Sequence, residues 1–296
     1  MKLYFVILLL LILLYILRYN KTTEHFTHPN YTSYGNDDVA FIYYYDDNIY
    51  NYAQHSLKNI KAYLEKYKYG LYIFNKEFNS EYSPCWNKIA SILEVIRNHK
   101  YVVWVDADII INNFDIDIMK FAKNDTKHDL FICFDCVKDR ECLNSGVMIV
   151  KNTDWSYNLF KKTWETDQFH GHNDQNVLLD EIIKENNPEY KDGSYDDDKY
   201  RFKPYCKETM HPKVKIFDQN SFNTHIEDIN YDDFIIHLMG ADAFTRINVM
   251  RQINTKLGLD DYADTTCVEL LKHYNPSKER TNRLKENSCY KYKKIE

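Results

Sequence analysis

Hydrophobic and polar positions alternate in two rhythms along the chain. Val39–Tyr45 and Leu71–Phe74 are short apolar runs of strand length, and between them Asn51–Tyr67 sets Ala53, Leu57, Ile60 and Leu64 at helical spacing. Asn87–Asn98 repeats that spacing with Ile89, Ile92, Leu93 and Ile96. Tyr101–Val105 is unbroken apolar sequence, the pattern of a strand buried on both faces. A short helix is predicted over Asp115–Lys123, and strands over Leu130–Phe134 and Gly146–Val150. Asp154 is placed to cap a helix through Trp164, and Asn173 or Asp174 to open another through Glu185. Strand patterns return at Val214–Phe217 and Phe234–His237, and a last helix covers Ala243–Leu257. Thr22–Asp38 has no period and reads as a stem. Asn186–Pro212, rich in charge, Pro and Tyr, reads as a long surface loop and candidate substrate lid. The alternation predicts an α/β fold around a central, mostly parallel sheet. No internal repeat and no second core are visible, so one domain is expected.

The N-terminus changes the picture. Met1-Lys2 precedes the apolar run Leu3–Leu17, which Arg18 closes. About 20 apolar residues cross a typical bilayer, so this run is short. No small-residue cleavage site follows, which favours an uncleaved signal anchor over a removed signal peptide. The expected organisation is a cytoplasmic tip and membrane helix over 1–18, a stem over 19–38, the globular domain over 39–274, and a charged tail over 275–296. That is a single-pass type II protein facing the ER or Golgi lumen, the host's if the chain is viral. Sequons at Asn20, Asn30 and Asn124 fit a luminal body.

Composition removes some classes of function. The net charge of −6 offers no basic footprint for nucleic acid. The 26 tyrosines accompany abundant Asn, Ile and Lys, a bias typical of AT-rich coding, and carry little functional weight singly. Seven cysteines suit an oxidising compartment, and the odd count leaves at least one unpaired within the chain. Cys133 and Cys136 have CxxC spacing, but no second pair follows at the spacing of a zinc site.

The clearest chemistry is Asp106-Ala107-Asp108, directly after the buried run Tyr101–Val105. Ligands of open α/β sheets bind beyond the carboxyl ends of the strands. Two carboxylates there suit Mg²⁺ or Mn²⁺, hard cations that bridge carboxylates to a substrate diphosphate. Asp115 and Asp117 repeat the spacing but read as a helix start. His237 ends a late apolar strand and is placed to complete an Asp/Asp/His site, or else is a satisfied structural histidine. Asp174 and Gln175 sit at a helix start, either as capping residues or beside a reacting sugar.

These motifs, taken in order, resemble a known family. Pro84-Cys85-Trp86-Asn87-Lys88, Tyr101–Asp108, Leu143-Asn144-Ser145-Gly146 through Ser156, Asp174-Gln175 and His237-x-x-Gly240 follow the pattern of glycosyltransferase family 34. The resemblance runs from about Val39 to Arg246. It implies a GT-A-type, Rossmann-like fold, Mn²⁺ and a nucleotide-sugar donor, with retention of anomeric configuration. It implies Asp106, Asp108 and His237 as metal ligands, Lys88 as the donor-side lysine, and Asn144, Ser145 and Gly146 as the turn lining the sugar pocket. It places Ala107 and Gly240 at the donor, and Asp174 and Gln175 at the sugar's reactive face. Related retaining transferases carry a lysine shortly after His-x-x-Gly. Here Ala241–Thr245 holds none, and Arg246, the first cation, either takes that donor-binding role or leaves diphosphate binding weakened.

The resulting expectation is a metal-dependent hexosyl- or pentosyltransferase. Its donor is a UDP- or GDP-sugar carrying galactose, mannose or xylose, and its acceptor a glycan or glycoprotein hydroxyl. A rival is a catalytically silent GT-A domain that binds glycans at a membrane. A nucleotidyltransferase would need a basic triphosphate loop where Tyr43–Tyr52 carries Asp46 and Asp47.

Overall fold

The computed structural model describes residues 30–79, 82–134, 143–166, 174–187, 189–190, 211–230 and 232–260. Seven strands form the main sheet: β1 (Asn30–Thr32), β2 (Asn36–Tyr44), β3 (Tyr69–Phe74), β4 (Tyr101–Val105), β6 (Leu130–Phe134), β7 (Leu143–Lys151) and β8 (Val214–Phe217), in the order β1-β3-β2-β4-β7-β6-β8. A second sheet, β5 (Ile109–Ile111), β10 (Ile235–His237) and β9 (Thr224–His225), has the order β5-β10-β9. The helices are α1 (Tyr50–Tyr67), α2 (Asn87–Val95), α3 (Asp154–Glu165), α4 (Asp174–Asn186) and α5 (Ala243–Lys256).

The unbroken apolar strands follow from burial on both faces. Alternate residues of β2 and β4 enter opposite cores. Phe41, Tyr43, Val103 and Val105 pack with Ile60 and Leu64 of α1 and with the small sheet. Ile42, Val102 and Trp104 pack with Ile89 and Ile92 of α2 and with Leu159 and Val177 of α3 and α4. Phe41 is fully enclosed; its truncation to Ala would cost about 3–5 kcal/mol.

The α/β class is as expected, but the main sheet is mixed rather than mostly parallel at its pairings. β7 lies antiparallel between β4 and β6, and β1 antiparallel to β3. The physical reason for β7 is its long pairing partner: Val102, Val103 and Trp104 face Val150, Ile149 and Met148 in a continuous antiparallel register. The predicted stem is also corrected. Asn30–Thr32 pairs with Leu71–Ile73 at the sheet edge, and β2 begins at Asn36, because Tyr31 packs on Tyr72 at 4.4 Å. α3 is capped by Thr153 rather than Asp154: the Thr153 side chain accepts from the Ser156 amide, and the Ser156 hydroxyl accepts from the Thr153 amide. Asp117, as expected, starts a helical turn, accepting from the Met119 amide.

The expected single-pass type II localisation in the ER or Golgi, with its membrane partner, is contradicted by the helices that the structure describes. Among the described residues no helix is long and apolar enough to cross a membrane. The longest, α1, has 18 residues and carries Lys58, Lys61, Glu65 and Lys66 among its apolar positions. The run Leu3–Leu17, the tail over 275–296 and most of the Asn186–Pro212 loop lie outside the described residues. So do Cys136, Cys142, Cys206, Cys267 and Cys289, while Cys85 and Cys133 are free thiols.

Candidate active site

Strand register builds the site. β4 ends at Val105, and the chain turns through Asp106-Ala107-Asp108, closed by the Ile109 amide donating to the Asp106 carbonyl at 3.2 Å. β5 follows at once and pairs antiparallel with β10, with His237 opposite Ile109. The Leu238 amide donates to the Asp108 carbonyl at 2.9 Å. This register brings a histidine 129 positions downstream beside the carboxylates: His237 Nε2 is 3.2 Å from Asp108 Oδ1 and 3.9 Å from Asp106 Oδ2.

Asp106, Asp108 and His237 each offer a ligand atom, all within 4.8 Å of one another. Two carboxylate oxygens and an imidazole nitrogen are a donor set for a divalent cation. The residues therefore fit the implied metal.

Neighbouring groups set each ligand's orientation and charge. Trp104 donates from Nε1 to Asp106 Oδ1 at 2.6 Å, and Lys88 Nζ lies 3.2 Å from the same oxygen. Lys88 is buried and also reaches Asp174 Oδ2 at 3.1 Å and Ser145 Oγ at 2.9 Å, so its three protons meet three partners. Burial opposes its charge, but Asp106 and Asp174 outweigh that and hold its pKa above the ordinary lysine value. Arg246 donates from Nη2 to Asp108 Oδ2 at 2.9 Å, with its guanidinium 4.8 Å from the Tyr52 ring centre. Burial pulls the Asp108 pKa up, yet His237 and Arg246 prevail and hold it at about 2. At Asp106 burial prevails and the pKa is raised. Burial also opposes a charged His237, but Asp108 and then Asp106 overcome it and raise its pKa above 6.5.

The expected sugar-pocket turn lies alongside. Gln175 accepts from the Ser145 amide at 2.8 Å and from its hydroxyl at 3.2 Å, and Asp174 Oδ2 stands 3.4 Å from that hydroxyl. Asn144 accepts from the Gly146 amide at 2.9 Å. Gly146 is required by close approach: a Cβ there would lie 2.3 Å from His237 Cε1. Gly240 serves the turn after β10, with φ +74°. The Ala107 carbonyl accepts from the Tyr43 hydroxyl at 3.4 Å.

All the sequence-predicted residues line one cleft of about 400 Å³, so the structure brings them together. It adds Tyr44, Asp46, Ile49, Tyr52 and Trp104 to the lining, and Asn223 behind His237. The aromatic ones were absorbed into apolar runs. Asn223 sits in the polar stretch Asp218–Asn223 with no pattern to distinguish it.

A family model described as nucleotide-diphospho-sugar transferase matches residues 45–245. Among solved structures, a glycosyltransferase involved in glycosylating the major capsid of PBCV-1 superposes with a TM-score of 0.52 at 13% identity, over 72% of this chain and 98% of that one. The glycosyltransferase GlyE of Streptococcus pneumoniae TIGR4 gives 0.44 at 14% identity, over 77% and 66%. The galactosyltransferase LgtC, in complex with donor and acceptor sugar analogues, gives 0.43 at 12%, over 71% and 95%. No curated protein matches the chain in sequence. At these identities the first likeness speaks for the fold alone, a mixed α/β arrangement consistent with GT-A.

Proposed function

Because the chain belongs to the nucleotide-diphospho-sugar transferase family, we propose that it transfers a hexose or pentose from a UDP- or GDP-sugar to a glycan hydroxyl, with retention and with Mn²⁺ or Mg²⁺ at Asp106, Asp108 and His237. The observation carrying this reading is the convergence of those three ligand atoms in the cleft that also holds Lys88, Ser145 and Asp174. A divalent metal, when bound, supplies Lewis-acid stabilisation of a leaving diphosphate.

The chain's own residues account for the rest. Among the described residues, Asp106, Asp108 and Asp174 face two fixed cations, Lys88 and Arg246, so the cleft without a metal disfavours an anionic donor. A divalent charge reverses that balance. The contact of Arg246 with Asp108 supports Arg246 in the role of the lysine expected after His-x-x-Gly, against the reading of a silent domain. Lys88 holds Asp174 in place through the ion pair at Oδ2. Its ion pair with Asp174 Oδ2 at 3.1 Å makes that oxygen a poor nucleophile and favours front-face attack by the acceptor. The motif order supports a place near glycosyltransferase family 34.

The test is a panel of UDP- and GDP-sugars offered with glycan acceptors, and product analysis by NMR. One donor is expected to react, giving a glycoside with the donor's anomeric configuration. An inverted product would contradict retention, and near-normal turnover by Asp174→Asn would exclude an obligate Asp174 nucleophile.

A further inference from the structure

We infer that Asn223 is a positioning residue that locks His237 in its Nδ1–H tautomer and so presents the Nε2 lone pair to Asp106 and Asp108. A backbone amide only donates. The Gly146 N–H points at the Asn144 side chain at 2.9 Å, so the amide atom there is oxygen. That same oxygen lies 2.8 Å from one end of the Asn223 amide, which must therefore be the nitrogen. The other end of Asn223 is then oxygen, and it lies 3.0 Å from His237 Nδ1. An amide oxygen only accepts, so the proton between them belongs to Nδ1. In a neutral imidazole this leaves Nε2 without a proton.

Asn223 and His237 are both buried, with Asn223 only 1% exposed, so water does not substitute for this bond. Backbone pairing holds the two elements together: Asn223 immediately precedes β9, whose Thr224 and His225 pair in parallel with Ile236 and His237. Gly146 both donates the amide that begins the chain of bonds and, by lacking a side chain, admits the imidazole. With the imidazole neutral, Nε2, Asp108 Oδ1 and Asp106 Oδ2 confront one another with lone pairs at 3.2 and 3.9 Å, a gap that a proton on Nε2 or a divalent cation fills. Outer partners that fix a ligating histidine typically change metal affinity about 10–100-fold when removed. The same bonds tie the Asn144–Gly146 turn to the metal ligand, so the two cannot shift independently.

The effect on metal affinity rests on the metal reading proposed above; the tautomer does not. The experiment has two readouts on the full-length protein. ¹⁵N NMR of labelled histidines is recorded without metal at a pH where imidazoles are neutral, with His237 assigned from a His237→Gln variant. Binding of Mn²⁺ alone is followed by electron paramagnetic resonance. The wild type is expected to show Nδ1 protonated. Asn223→Leu is expected to lose that preference and to bind Mn²⁺ about 10–100-fold more weakly. An Nε2–H tautomer in the wild type, or Mn²⁺ affinity unchanged in a folded Asn223→Leu, would overturn the inference. A wild type with the Nδ1–H tautomer but no Mn²⁺ affinity would support Asn223 as the clamp and overturn the metal reading instead. Should Asn223→Leu fail to fold, the wild-type tautomer still decides the matter.

Discussion

Gly146 faces the imidazole of His237 so closely that an added Cβ would stand 2.3 Å from Cε1 and 2.7 Å from Nδ1. The obstacle is a buried ring held by Asn223, not the loose end of a flexible side chain. Gly146→Ala is therefore expected to displace His237, with an overpacking cost of about 1–3 kcal/mol and a loss of metal affinity on the order of tenfold or more. Urea denaturation and a Mn²⁺ titration measure the two effects. A variant of normal stability and affinity would show that the ring has freedom that the structure denies it.

Lys88 compensates Asp106 and Asp174 inside the cleft. Replacing it by Met leaves both carboxylates without their shared cation, which should destabilise the fold by about 3–5 kcal/mol near neutral pH. The deficit should shrink as the pH falls and the carboxylates take up protons. Denaturation midpoints of Lys88→Met and the wild type across pH check both the size and the trend.

How much of this was legible in the sequence depended on local pattern. Tyr101–Val105 reads as a buried strand at its exact bounds because both of its faces are covered. Asp106 and Asp108 are conspicuous because carboxylates follow that apolar run directly. β5 was not legible: Ile109–Ile111 is three residues long, too short to show a period, yet it is the strand that pairs with β10 and delivers His237. β1 was hidden because its residues are exposed and polar, so it resembles linker. Trp104 read as core, which it is, while its indole N–H also holds Asp106. Asn223 carries no pattern of its own, since its role arises only where β9 and β10 meet. Arg246 was visible as the first cation after His237-x-x-Gly240, but its contact with Asp108 depends on how α5 leaves the Gly240 turn.

Arg246 is the cation that distinguishes this cleft. Arg246→Ala is expected to raise KM for the nucleotide-sugar and to lower kcat/KM by about 10²–10³, the scale of losing one preorganised charge at a reacting group. Arg246→Lys should recover part of that loss. Steady-state kinetics on the three proteins decide it; an Ala variant with unchanged kcat/KM would remove Arg246 from the diphosphate.

His237 sets a pH signature. Its pKa is raised in the metal-free fold despite burial, through Asp108 and Asp106. The sign follows from linkage: this group's stabilising contribution is fully present below its unfolded value of about 6.5 and is lost as the pH rises through the higher folded value. Metal needs the neutral nitrogen, so affinity should move the other way, rising by up to about tenfold per pH unit over that window with release of one proton. Calorimetry of Mn²⁺ binding in buffers of different ionisation enthalpy counts the proton. Binding without proton release would show that His237 is already neutral or does not ligate.

The central claim is that a divalent cation at Asp106, Asp108 and His237 enables nucleotide-sugar turnover. Its most direct test is donor consumption by the full-length protein with Mn²⁺, repeated after EDTA treatment and with Asp108→Asn. Turnover of one UDP- or GDP-sugar is expected, lost with EDTA, regained with Mn²⁺, and absent in the folded Asp108→Asn variant. Equal turnover with EDTA, or in Asp108→Asn, would contradict it.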